Sequence, residues 1–222
     1  MLVVVSPHLD DAVFGCGALL AGRPDSAVVT VFAATPVDAG VRTVWDASCG
    51  FADAGAAMAA RRREDEAALA EVGAVPRWLD FVDGQYGEGA DDAAIAAAIA
   101  RALTGLGATE VFVPLGLFHD DHLRAHRTAV EALRQLPGAP AWVYEDAIYR
   151  AMPGVLEARL AELRGPGGAR VAATPTAVAR GAAADAARKA RAVRCYASQA
   201  PALGAEGMAD TARPERYWRL LL

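Results

Sequence analysis

Residues 3–22 read VVVSPHLDDAVFGCGALLAG. Leu2 to Val5 has the length and residue types of a short buried strand. Ala12 to Ala21 then reads as a helix packed behind it. Between them, at the strand's carboxyl end, stand His8, Asp10 and Asp11. Ionisable groups so placed add nothing to a core, and the question is what they hold.

The alternation continues outward from this start. Ala27 to Ala34 reads as a second strand, and residues 35–53 as a loop with Pro36, Gly40 and Gly50. Ala54 to Val72 reads as a helix ended by Gly73. Trp78 to Val82 is expected to be a strand, with Asp83-Gly84 as a turn after it. Asp92 to Leu106 is helical, Glu110 to Pro114 a strand, and Asp121 to Leu136 a helix closed by Pro137-Gly138. Ala141 to Tyr144 is a strand, Leu156 to Leu163 a helix, Val171 to Ala173 a late strand and Thr176 to Tyr196 the last long helix. Tyr217-Trp218 reads as an anchor for the tail. Strands alternating with long helices give an α/β fold class. The expected form is a single-domain, Rossmann-like three-layer sandwich with a mostly parallel sheet. There is no internal repeat. The best candidate seam, Pro-Gly-Gly at 166–168, is too short to divide the chain, so residues 1–222 are expected to form one domain.

Bulk properties narrow the function. Of 222 residues 54% are apolar, enough for a sizeable core, and the net charge of −5 speaks against a nucleic-acid partner. The run Arg61-Arg62-Arg63 is neutralised at once by Glu64-Asp65-Glu66. Cys16, Cys49 and Cys195 form no CxxC pair, which suits a reducing, cytoplasmic setting. His8-Leu9-Asp10-Asp11 interrupts the first apolar run, so it does not read as a signal peptide. No stretch reaches the ~18 uncharged apolar residues of a membrane span, and no membrane partner is expected.

In open α/β sheets ligands collect beyond the carboxyl ends of the strands. His8, Asp10 and Asp11 lie in that place. A second polar cluster, His119-Asp120-Asp121-His122, follows the strand Glu110 to Pro114. Two of the four histidines fall in this second segment, His126 follows one turn later, and the fourth is in the first. Two imidazoles and one carboxylate meet the needs of a catalytic zinc, which keeps one position for water. Bound water then drops to a pKa of ~7, and an adjacent carboxylate can take its proton. Neighbouring aspartates point in different directions, so one binding the ion and the other acting as base is the natural division. His126, one turn past His122, reads as a packed or supporting residue. The aromatics Trp45, Phe51, Trp142, Tyr144 and Tyr149 are not assigned to catalysis.

Pro7-His8-Leu9-Asp10-Asp11 resembles the (A/S)-H-P-D-D signature of the PIG-L/LmbE-like N-acetylglucosaminyl deacetylases. His119-Asp120-Asp121-His122 is similar to that family's H-P-D-H. Further likeness lies in Arg61 with Glu64 ahead of Val72-Gly73, in Asp83-Gly84, and in Lys189 with Tyr196-Ala197-Ser198-Gln199. The resemblance implies that His8, Asp11 and His122 hold Zn2+, with Fe2+ as the other candidate. It implies Asp10 as general base and His119 as an imidazolium facing it. Arg61 and Asp83 become substrate contacts, with Arg62 and Arg63 as alternatives to Arg61. The implied substrate is a small N-acetyl amino sugar or glycoside, whose acetyl group is hydrolysed off. Leu9 and Asp120 stand where the family has proline, expected to loosen one turn and to add charge to the other. A tyrosine that some relatives carry just before H-P-D-H is replaced by Leu117-Phe118.

Three other readings compete. His8-Leu9-Asp10 also spells the H-x-D of a non-haem iron oxygenase, although that spelling belongs mostly to antiparallel barrels. Gly15-Cys16-Gly17 hints at a dinucleotide fingerprint, but Leu20 occupies the third glycine position. A catalytically silent sugar-binding module is the third, with intact Asp10 and His119 against it.

Overall fold

The computed structural model describes residues 1–87, 89–136, 138–165, 170–175 and 183–222. Seven strands form one sheet in the order β3-β2-β1-β4-β5-β7-β6. The strands are β1 (Leu2–Ser6), β2 (Ser26–Thr30), β3 (Ala74–Trp78), β4 (Glu110–Pro114), β5 (Ala141–Tyr144), β6 (Arg170–Val171) and β7 (Tyr217–Leu221). β1 pairs in parallel with β2 and β4, β2 with β3, and β4 with β5. β7 runs antiparallel to β5 and β6. The helices are α1 (Asp11–Ala21), α2 (Val44–Ser48), α3 (Ala54–Val72), α4 (Asp92–Gly105), α5 (Asp120–Arg134), α6 (Val155–Arg164), α7 (Ala183–Cys195) and α8 (Ala200–Asp210). No helix among the described residues is long and apolar enough to cross a membrane.

The strand period of two sorts the core into two layers. Val3 and Val5 of β1 join a cluster with Ile95, Ile99 and Leu103 of α4, Ala125 and Ala129 of α5, and Leu160 of α6. Leu2 and Val4 point the other way, into a cluster with α1, Ala68 and Leu69 of α3, and Ala192 and Val193 of α7. Central strands buried on both faces read as unbroken apolar runs, which is why β1 and β4 were plain in the sequence. The expected α/β sandwich with a mostly parallel sheet is the observed architecture.

Several boundaries are corrected. β3 lies at Ala74–Trp78, not Trp78 to Val82. Pro76 reads as a strand breaker, but β3 is an edge strand, where proline's missing N–H is tolerated. β2 stops at Thr30, and beyond it only single bridges form, Phe32 with Asp80 and Ala34 with Val82. The 35–53 loop contains α2, whose Thr43 side chain accepts a hydrogen bond from Asp46 N. The helix α5 starts at Asp120 and ends at Arg134; Pro137 lies outside the described residues. α3 matches its expected bounds, with Asp53 capping Ala56 N and Gly73 left-handed at φ 77°. Residues 166–168, the candidate seam, and 176–182, the start of the expected last helix, also lie outside the described residues. α8 and β7 were not foreseen. Tyr217 and Trp218 are buried strand residues inside the sheet.

Gly15 and Gly17 serve packing. A Cβ on Gly15 would stand 2.7 Å from the Tyr144 ring, and one on Gly17 would stand 2.7 Å from Lys189 Cγ. Lys189 Nζ runs through that notch to donate to Phe14 O and to Glu215 Oε1, both at 2.7 Å. Glu215 in turn accepts from Ala18 N and Leu19 N. The helix that begins with the Asp10-Asp11 pair is thereby locked to the C-terminal segment.

Candidate metal and catalytic site

β1 and β4 are neighbours, so their carboxyl ends open on one crevice, with β5 beside them. His8 follows β1, His119 and His122 open α5 beyond β4, and Asp146 follows β5. Backbone caps fix these turns. His8 N donates to Asp11 Oδ2 at 2.9 Å, and His119 Nδ1 accepts from Asp121 N at 3.2 Å. Leu9 does not loosen its turn. It is buried against Ala33 and Met58, and its carbonyl accepts from Gln199 Nε2. Asp120 is exposed in the first turn of α5.

Three side chains from the two segments converge. Asp11 Oδ2 is 3.2 Å from His8 Nδ1 and 3.3 Å from His122 Nε2. A tetrahedral ion with bonds of about 2.0–2.1 Å has donor-to-donor edges of about 3.3 Å. The spacing and the chemistry of the donors therefore fit one such ion. Each histidine spends its other nitrogen on a carboxylate. His8 Nε2 meets Asp121 Oδ2 at 3.0 Å, and His122 Nδ1 meets Asp146 Oδ1 at 2.6 Å. Such outer carboxylates orient metal-binding imidazoles and fix their tautomers. They are themselves pinned, Asp121 by Gly84 N and Asp146 by Gly116 N and Leu117 N. A second grouping, His8 with His119 and Asp121, also lies within reach of one ion. It shares His8 with the first, and His8 Nε2 stands 3.0 Å from Asp121 Oδ2.

The electrostatics follow the crowding. Burial lowers the His8 imidazole, but Asp83, Asp11 and Asp121 together lift it well above its ordinary value. Burial likewise opposes charge on His122, and Asp11 and Asp146 overcome it, raising it to about 9. Burial alone would raise Asp11; the two histidines hold it well below the usual range. Asp10 is buried, and burial and its neighbour Asp11 push it up to about 8. Its carboxylate makes no hydrogen bond among the described residues, which leaves both oxygens free toward the cleft that it lines. His119 is lowered by burial, then by His8 and His122. With Nδ1 accepting, a neutral His119 carries its proton on Nε2. The resemblance implied an imidazolium, which would lose that backbone bond.

The cleft has a volume of about 230 Å³. Arg61 lines it, buried, with Nη2 3.0 Å from Asp46 Oδ1 and Nε without a partner. Arg62 turns away to Ala33 O and Arg63 is exposed, so of the three only Arg61 lines the cleft. Asp83 lines the cleft too, its oxygens accepting from Gln85 N and Nε2, 3.9 Å from His8 Nε2. Trp45 of α2 and Gln199 and Leu203 from the C-terminal segment complete the wall. His126 is buried, with Nδ1 on Pro114 O, away from the donors.

Sequence reasoning missed Asp146 and Tyr149. The Tyr149 ring stands edge-on to His122, centroids 4.9 Å apart, and 6.2 Å from His119. A signal was available, since both lie just past β5, a strand read correctly. The late motifs are structural apart from Gln199, which lines the cleft. Glu64 accepts from Ser198 N and Oγ, and Asp65 accepts from Tyr196 OH and Trp78 Nε1.

Comparisons with known proteins place the chain in a family and match its fold. The model of the PIG-L family, described as GlcNAc-PI de-N-acetylase, matches residues 3–133. The 2'-N-acetylparomamine deacetylase of Streptomyces fradiae is 32% identical, with 73% of this chain aligned. The alignment spans 63% of that relative's length. A deacetylase of the A40926 pseudoaglycone, Dbv21, superposes with a TM-score of 0.84 at 26% identity, covering 99% of this chain and 96% of the other. A deacetylase of the teicoplanin pathway gives 0.83 at 24% identity, covering 99% and 97%, and speaks for the fold.

Proposed function

Because the chain belongs to the PIG-L family, we propose that it is a metal-dependent hydrolase removing the acetyl group from an N-acetylated amino-sugar glycoside. The observation that carries this reading is the His8–Asp11–His122 triangle with an unbonded, buried Asp10 carboxylate beside it. The names of two relatives, 2'-N-acetylparomamine deacetylase and A40926 pseudoaglycone deacetylase, support this substrate class. β5 and Asp146 lie beyond the family match yet serve the same site, so we read residues 1–222 as one catalytic domain.

His8 Nδ1, Asp11 and His122 Nε2 would hold the ion, Zn2+ by donor type, with Fe2+ suited to the same set. When bound, the ion polarises the acetyl carbonyl and brings water near a pKa of ~7. Asp10, raised by burial and Asp11, would be ionised beside a bound cation; it then accepts the proton of the attacking water and hands it to the departing amine. His119, through Nε2–H, donates to the carbonyl oxygen as charge builds there, a contribution of the oxyanion-hole kind. Arg61 and Asp83 bind sugar hydroxyls along the cleft. Asp46 holds Arg61 in place.

Metal analysis of the purified protein, with acetate release measured across N-acetyl glycosides, tests the reading. Asp10→Asn is expected to keep its zinc and lose at least 100-fold in kcat. Normal turnover in that variant sinks the base assignment. Turnover that needs oxygen and a keto acid would replace the hydrolase with an oxygenase.

A further inference from the structure

Phe118 sits in a place that folding alone does not favour. Its φ is +62°, and His119 N donates across it to Leu117 O at 2.6 Å. That is a three-residue turn of the rare, strained hand. Its ring is 61% exposed, so burial does not explain the position. The exposed ring stacks on Tyr149, centroids 5.7 Å apart and planes 30° apart. Tyr149 follows Ile148, at φ +66°, where a β-branched residue is an outlier. Two strained residues from two different loops thus present one aromatic pair. Tyr149 lines the cleft, and its hydroxyl makes no hydrogen bond among the described residues. Phe118 lies just outside the cleft wall, one ring farther from the catalytic side chains.

This inference rests on the deacetylase reading. Tyr149 lines the same cleft as Asp10 and His119, and Phe118 stacks on it at the exposed side, where a group carried by a bound sugar would emerge. We propose that Phe118, backed by Tyr149, is a specificity-determining platform for the aglycone, selecting a flat aromatic ring joined to the acetylated amino sugar. The strain is retained because the ring is needed exposed. A hydrocarbon face left in water gains its partner only when substrate binds.

The test uses zinc-loaded wild type and Phe118→Ala with two probes, phenyl and methyl N-acetyl-β-D-glucosaminide. Kd is read by calorimetry and acetate release in parallel. Wild type is expected to bind the phenyl glycoside about five- to tenfold more tightly than the methyl one, and the variant to lose that preference. An unchanged preference overturns the platform, and so does failure of both glycosides to bind. A lost preference in the absence of acetate release keeps the platform and overturns the deacetylase reading. The Tm of the variant should stay within about 2 °C of wild type, and a larger fall marks Phe118 as structural support and overturns the proposal.

Discussion

Asp65→Asn should make the protein more stable at neutral pH and not at acid pH. Asp65 is 2% exposed and bonded to Trp78 Nε1 at 2.7 Å and Tyr196 OH at 2.9 Å. Burial pushes its pKa up from 3.8 to about 6, although the two hydrogen bonds pull the other way. At 1.36 kcal/mol per pH unit, ionising it inside the fold costs about 3 kcal/mol. Between pH 3.8 and about 6 the folded chain holds a proton there that the unfolded chain has released. Stability therefore falls as pH rises through that window and levels off above it. Asparagine has no charge to bury. Its Oδ1 still accepts from Trp78 Nε1, and its amide donates to the Tyr196 oxygen. Urea unfolding of wild type and variant, run in parallel from pH 4 to pH 8, reads the difference, and any loss of metal at low pH cancels between them. The variant's advantage should grow by about 2 kcal/mol from pH 4 to pH 8. A difference independent of pH, or one growing toward acid, refutes the burial argument.

Asp146→Asn removes the carboxylate that orients His122, and zinc affinity measured by chelator competition should fall 10- to 100-fold; an unchanged Kd means that Asp146 only caps Gly116 and Leu117. His126, pulled down to about 4 by burial, gives the opposite pH slope to Asp65: its stability is present above pH 6.5 and is lost as pH falls toward 4. His126→Asn should therefore flatten the acid limb of the unfolding curve by about 3 kcal/mol, and a limb as steep as wild type's counts against it. Gly17→Ala drives a methyl into the Lys189 stem and should cost about 1–3 kcal/mol in urea unfolding, whereas a wild-type midpoint would show that Lys189 yields freely.

Much of the site was legible because two regularities meet in it. Val3 to Val5 and Val111 to Val113 are unbroken apolar runs, as strands buried on both faces must be. Polar groups just past such runs stand where ligands bind. His8, Asp10, Asp11, His119 and His122 follow from those two facts, and the sheet order brings them together. β3 was misplaced because proline is a breaker only where its partner strand exists. α8 was invisible because Pro201, Gly204 and Gly207 interrupt any helical pattern, and Gly204 does bend the chain, at φ 71°. β7 gives no alternation, since it is buried on both faces, Tyr217 in one core cluster and Trp218 and Leu220 in the other.

Two carboxylates to which sequence reasoning gave no role, Asp146 and Asp121, act through a neighbour. Asp146 has meaning only once His122 Nδ1 is seen 2.6 Å away, and Asp121 only once His8 Nε2 is seen at 3.0 Å. Neither distance follows from spacing along the chain, since the partners come 24 and 113 residues apart. Yet these two contacts decide which nitrogen of each histidine faces the Asp11 carboxylate. A hydrogen-bond acceptor on the far side of an imidazole places the proton there and leaves the near lone pair open. The donor set is thus specified twice, once by residue type in the two polar clusters and once by the carboxylates behind them. The second specification separates a site able to hold an ion from histidines that merely lie close together.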